Sequence, residues 1–275
     1  MAPSLDVGYS SFCRCAAVTI PFIDAAANTG KTQLWRILPS RPITFVLGQA
    51  KTEFTIHADA LTPISKALRV LIDGDMKEAK EACVTWDDVD SETFIRFAQW
   101  VYTNDYAPPD PDILLDSSNF SFQPAPSNNS SGQPKENNYS IQDISDLWRI
   151  PDHAFQPRPN TEGCEEYSKI FLCYANLYIL ADKYDITELS KLSMHKLYTT
   201  LVTFKLYHSC MSDILSLVEL VYENTRDDDE LRSMIVHYCA CTVERLASCE
   251  EFQKTLQGYP EFSSALVAKM TERLD

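Results

Sequence analysis

Residues Tyr174 to Leu201, YANLYILADKYDITELSKLSMHKLYTTL, constrain the fold most, because they read as two consecutive helices of different character. In the first, Tyr174, Leu177, Tyr178 and Ala181 recur at helical spacing, and Ile179 and Leu180 make the flank apolar too. A helix that is apolar nearly all round belongs in a core, so other elements must surround it. Asp185 is expected to break the run and cap a second helix, with Glu188 three positions on completing a capping box. From Ile186 the apolar stripe narrows to Ile186, Leu189, Leu192, Leu197 and Leu201, leaving Glu188, Lys191 and Lys196 on the other side. This suits a helix that covers the first.

Upstream, Ile43 to Leu47 is rich in strand formers, Gly48 to Lys51 reads as a turn, and Glu53 to His57 alternates as a second strand. A helical stretch from Asp59 to Ile72, broken at Pro63, leads to a third strand, Ala82 to Trp86. Asp87, Asp88 and Asp90 then precede a helix with Phe94, Phe97, Ala98 and Val101 on its inner stripe. Downstream, helices are expected over Met211 to Tyr222, Glu230 to Leu246 and Phe262 to Leu274, with Asp213 and Asp228 or Asp229 as starts. Gly258-Tyr259-Pro260 separates the last two. The pattern predicts an α+β fold: a small β-sheet covered by a helical cluster, followed by a C-terminal all-α extension.

Nine of the chain's 15 prolines fall between residues 107 and 168, which excludes long helices there. Together with the low-complexity run Ser127 to Pro134, they mark a solvated, disordered insertion at 107–168 that loops out of one domain without dividing it. On this reading residues 108 to 165 can be deleted without unfolding the domain. Inside the insertion, Ile144, Leu147 and Trp148 form one apolar turn. Such a turn suits a partner groove as a linear motif, but docking on its own domain is favoured by proximity.

Composition narrows the function. A net charge of −15 repels phosphate backbones and no basic cluster offsets it, which argues against nucleic acid as a partner. No run of apolar residues is long enough for a membrane span, and no signal-peptide pattern is present. The nine cysteines, odd in number and mostly within apolar helical pattern, fit reduced thiols of a cytoplasmic or nuclear protein. Cys13 and Cys15 lack a second ligand pair for zinc. Gly30-Lys31-Thr32 lacks the earlier glycine of a phosphate loop, because Ala25 stands there. His57 closes a strand with no partner at ligand spacing, and the other histidines are scattered. Neither a metal, a cofactor nor a catalytic constellation can be assembled, so an enzyme is not expected.

Taken in order, Leu177-Tyr178 with Ala181-Asp182-Lys183-Tyr184-Asp185-Ile186 and Leu189, Phe54 to His57, Ala60-Leu61 with Ser65, and Phe94 with Trp100 to Thr103 resemble a BTB/POZ domain of the fungal type. The resemblance covers most of residues 43 to 202 and implies a flexible segment at 1–40, a domain at 41–202 and a helical extension at 203–275. It implies protein–protein association: an adaptor or scaffold, including recruitment to a cullin-type ubiquitin ligase complex. The alternatives are a transcription-linked oligomerisation protein and an enzyme without recognisable motifs. Many BTB dimers pair an acidic residue at the first strand with a basic one after the strand-closing histidine, whereas Pro42 and Ala58 stand here, so a monomer or weak homodimer is expected. In adaptors of this family a loop before the third strand carries an apolar residue, any residue, then Glu. Met76-Lys77-Glu78 occupies that place, which makes Met76 and Glu78 the candidate partner-binding residues.

Overall fold

The computed structural model describes residues 34–113, 145–161 and 165–272. Cys13, Cys15, the Gly30 to Thr32 stretch, the Ser127 to Pro134 run and Ile144 lie outside them. The chain is a mixed α+β protein. After a single turn, α1 (Leu34–Ile37), strands β1 (Pro42–Leu47) and β2 (Thr52–His57) form an antiparallel hairpin, followed by short helices α2 (Ala58–Leu61), α3 (Lys66–Asp73) and α4 (Lys77–Glu81). Strand β3 (Cys83–Trp86) returns parallel to β1, giving the order β2-β1-β3. The pleat turns Ile43, Phe45 and Leu47 of β1 inward with Val84 and Trp86 of β3, so one face of the sheet is core. That face is aromatic. Phe45 meets Trp86 at 4.9 Å and Phe94 at 5.0 Å, and Trp86 stacks on Tyr184 at 4.6 Å, which joins the sheet to the helices behind it.

Helix α5 (Ser91–Thr103) follows the acidic break, where the Asp90 carboxylate accepts from the Thr93 N–H at 2.9 Å. The two helices at Tyr174 to Leu201 are α7 (Ser168–Lys183) and α8 (Thr187–Thr203). As expected, α7 is buried on nearly every side, from Ile170 to Ala181. The break at Asp185 is also present, but its mechanism differs. Asp185 sits in the left-handed region at φ 54° and caps nothing; Ile186 holds the cap position, with no side-chain hydrogen bond there. A left-handed Asp reverses the chain at low cost, and that suffices.

The helices after residue 203 are not an appendage. Helices α9 (Met211–Asn224), α10 (Glu230–Leu246), α11 (Glu250–Gly258) and α12 (Pro260–Glu272) share one continuous hydrophobic core with the sheet and α7. Helix α11 has no counterpart in the sequence reading. It buries Phe252 and Thr255, with Leu256 partly buried beside them, too brief an apolar stripe to stand out. Asp229 caps α10 as expected and also accepts from the Tyr178 hydroxyl at 3.0 Å. Asp213, read as a start for its own helix, instead caps another. It is buried on α9 and its carboxylate accepts from the Tyr167 N–H at 2.8 Å, at the free N-terminus of α7.

The segment 107–168 departs most from expectation. Its described parts are packed. The short strands β4 (Asp112–Ile113) and β5 (Glu165–Glu166) pair with each other, and α6 (Ser145–Trp148) lies on α8. Asn160 is fully buried and exchanges two hydrogen bonds of 2.7 Å with the backbone of Lys205. Proline prevents long helices but not an extended chain held by side-chain anchors. Deletion of residues 108–165 is therefore expected to lower the melting temperature markedly, because it removes Trp148, Phe155 and Asn160 from the core; thermal unfolding by circular dichroism checks this.

Asp213 gives a pH signature. Burial is the leading effect and raises its carboxyl from 3.8 to about 6, against the opposing pull of the Tyr167 and Ser168 backbone donors. A raised acid binds its proton more tightly when folded, so its stabilising contribution is lost as pH rises from about 4 through 6. The stability of Asp213→Asn relative to the native chain is expected to improve by on the order of 2 kcal/mol between pH 4 and 7. Denaturant unfolding at both pH values measures it, and a pH-independent difference would contradict it.

Candidate partner-binding surface

Met76 stands on the corner between α3 and α4. Ser65 opens α3 by accepting from the Leu68 N–H at 3.1 Å, and Gly74 closes it by donating its N–H to the Val70 carbonyl at 3.0 Å. A Cβ at Gly74 would lie 2.3 Å from that carbonyl oxygen, so only glycine fits the corner as built. Met76 then takes an extended conformation and α4 begins at Lys77. The expected loop is thus half helix: Lys77 and Glu78 lie in its first turn, where a carboxylate suits the helix dipole. Ala82 ends α4 in the left-handed region at φ 51° and turns the chain into β3.

Arg41 holds the corner from a distance in sequence. Its guanidinium donates to the Ala79 carbonyl at 3.0 Å, to the Ile72 carbonyl, and to the Asp73 carboxylate at 3.2 Å. One planar group therefore ties the end of α3 to α4 from the start of β1. With the corner fixed, Met76 is 52% exposed and Val70 50% exposed, and the Val70 side chain lies against Gly74. On the same stretch Asp73, Asp75 and Glu81 are exposed and Glu78 is half-buried, while Lys77 pairs with Glu81 at 3.7 Å. Glu78 enters no ion pair among the described residues. An apolar knob with a carboxylate two residues on fits a pocket with a cationic rim.

The second candidate turn divides its residues. Trp148 is buried against Tyr198, with ring centroids 5.8 Å apart, so the turn docks on its own domain through this residue. Leu147 is 77% exposed. His57, the other residue singled out, bonds Tyr102 through its ring Nδ1 at 2.8 Å and its N–H at 3.1 Å, a link between β2 and α5.

Among the described residues, no group of three or more His, Cys, Asp and Glu is placed to hold a metal. Buried thiols are suppressed: burial pushes Cys173 up to about 12 and Cys239 well above its ordinary value. A cavity of about 270 Å³ opens between Pro108–Pro111 and Phe155–Arg158 over Tyr167 and Tyr174, lined mostly by proline and aromatic carbon. No helix in the described residues is long and apolar enough to cross a membrane. No protein-family model matches the sequence, and no curated protein matches it.

Arg41 and Gly74 escaped the sequence reading. Arg41 is 38 positions from Ala79, so no local pattern links them, whereas Gly74 after an apolar helical run is an ordinary C-terminal signal that was readable. Gly74→Ala is expected to cost on the order of 2 kcal/mol, since backbone must shift to admit the methyl group. Arg41→Ala is expected to cost about 1 kcal/mol, its side chain being partly exposed, and to raise amide exchange at residues 72–80 while β1 and β2 stay protected. Unchanged exchange at the corner would show that Arg41 does not hold it.

Proposed function

We propose that this chain is a non-enzymatic protein–protein interaction module of the BTB/POZ type, which presents the Met76 corner to a partner bearing an apolar pocket and a cationic rim. A cullin-type ubiquitin ligase scaffold is the partner class that fits the resemblance. The carrying observation is the exposed Met76 on a corner braced by Arg41 and Gly74, with Glu78 unpaired beside it. Rigid presentation reduces the entropy lost on binding, which is what a docking knob requires. The element order supports the same reading: a hairpin, short helices, a third strand parallel to the first, then α5, α7 and α8 in sequence.

Pro42 and Ala58 lack the charges that pair in many dimers of the family. Pro42 is exposed at the start of β1 and Ala58 is buried against the Arg41 carbonyl, to which its N–H donates at 2.9 Å. This supports a monomer or weak dimer.

The test is binding of the intact chain to a purified cullin N-terminal domain by calorimetry. Met76→Ala is expected to cost on the order of 1 to 3 kcal/mol, and Glu78→Lys to weaken binding further at low salt than at high. Both variants must keep the native melting transition. Absence of binding by the intact chain, or binding by both variants as tight as that of the intact chain, would defeat the reading.

A further inference from the structure

The return segment of the insertion is fastened to α8 through an imidazole. His195 is 2% exposed, and its Nδ1 accepts the Ile150 backbone N–H at 3.0 Å. Accepting there requires a lone pair on Nδ1, so the ring is neutral with its proton on Nε2. That Nε2 has no hydrogen-bond partner and is buried. The ring meets the edge of His153 at 5.0 Å and lies 6.4 Å from Phe155, while Trp148 packs on Tyr198 one turn along the helix. Residues 148–155 are thus held by this one acceptor, by the ring contacts of Trp148, His153 and Phe155, which also meets Tyr174 at 6.3 Å, and by the Lys196 ammonium 4.9 Å over the Phe155 ring.

We propose that His195 is a pH-operated latch: protonation of its ring releases the segment Trp148–Phe155 from α8 while the rest of the core stays folded. A proton on Nδ1 removes the acceptor and sets two N–H donors against each other at 3.0 Å. It also adds charge where charge is least welcome. Arg149 and His153 act on the ring from the segment, and Lys196 acts on it from the adjacent position of α8. Asp105, just past the end of α5, acts on His153, and its carboxylate is already bonded to Lys196. The Trp148 backbone alone favours the charged ring.

Burial first, then His153, Arg149 and Lys196, hold the ring at about 4, below its ordinary 6.5. A lowered histidine stabilises the closed form above 6.5, and that stabilisation is lost as pH falls towards 4, because the open form takes up the proton more readily. Between pH 7.5 and 5.0 the open fraction of the segment is expected to rise by roughly 30-fold.

The experiment is hydrogen exchange of the full chain at pH 7.5 and 5.0, corrected for intrinsic exchange rates, read on peptides covering residues 148–155 and on α7. The expected result is a loss of protection of that size in the segment with α7 unchanged. His195→Gln offers an acceptor to Ile150 that does not titrate, so its segment protection should fall several-fold less between the two pH values, the remainder coming from His153, which burial also holds below its ordinary value. Should that variant not fold, His153→Gln removes one source of repulsion, and the pH-dependent loss should shrink several-fold. The latch is overturned if segment protection does not change with pH, if it falls equally in His195→Gln, if it falls together with α7, or if His153→Gln leaves the loss unaltered.

Discussion

The buried ammonium of Lys196 is the interaction on which the arrangement of this protein turns. It is 1% exposed, bonded to the Asp105 carboxylate and the Tyr106 carbonyl, and lies over the rings of Tyr106 at 4.2 Å and Phe155 at 4.9 Å. Burial lowers its pKa, and the hydrogen bond and charge of Asp105 oppose that. A charge removed from water needs each of these partners in place, so one lysine fixes three pieces of chain at once: the exit of α5, the middle of α8 and the return segment through Phe155. Tyr106 is fixed further by its hydroxyl, which donates to Ser193 Oγ at 3.0 Å.

This polar centre explains how the described part of the proline-rich stretch packs. A segment with little secondary structure loses backbone entropy when it packs, and two or three strong anchors must offset that loss. Trp148 provides apolar area, Asn160 satisfies the Lys205 backbone in both directions, and His195 accepts from Ile150.

Polar groups also tie the carboxy-terminal helices to the rest. Asp213 supplies the N-terminus of α7 with the acceptor that α7 itself lacks, and Asp229 serves both α10 and Tyr178. Arg232, buried on α10, donates to the Tyr222 and Thr225 carbonyls and to the Asp227 carboxylate. By contrast, the Met76 corner is held by Arg41 and Gly74 and leaves Met76 and Val70 half-exposed. Core and surface are built differently: the buried charges of Lys196, Asp213, Asp229 and Arg232 each have polar partners, whereas the Met76 thioether is exposed and Glu78 enters no ion pair among the described residues.

Sequence alone determined what depends on neighbours along the chain. Periodicity gave the hairpin, the third strand, the buried helix α7 and the break at Asp185, because alternation and helical spacing are local consequences of burying one face. It also singled out Trp148, by its helical spacing with Ile144 and Leu147, whereas Met76 and Glu78 were pointed out only by the resemblance to a known family. Only the tertiary structure decided what depends on distant partners. Lys196 sat on the apparent polar side of its helix, yet it is buried because Asp105, 91 positions away, meets it there. Asp213 looked like a cap for its own helix and caps one 46 positions earlier. His153 and His195 read as scattered until packing set their rings edge to face. A side chain's period predicts which way it points, but whether a charge there is solvated or paired is settled by what the fold brings opposite it.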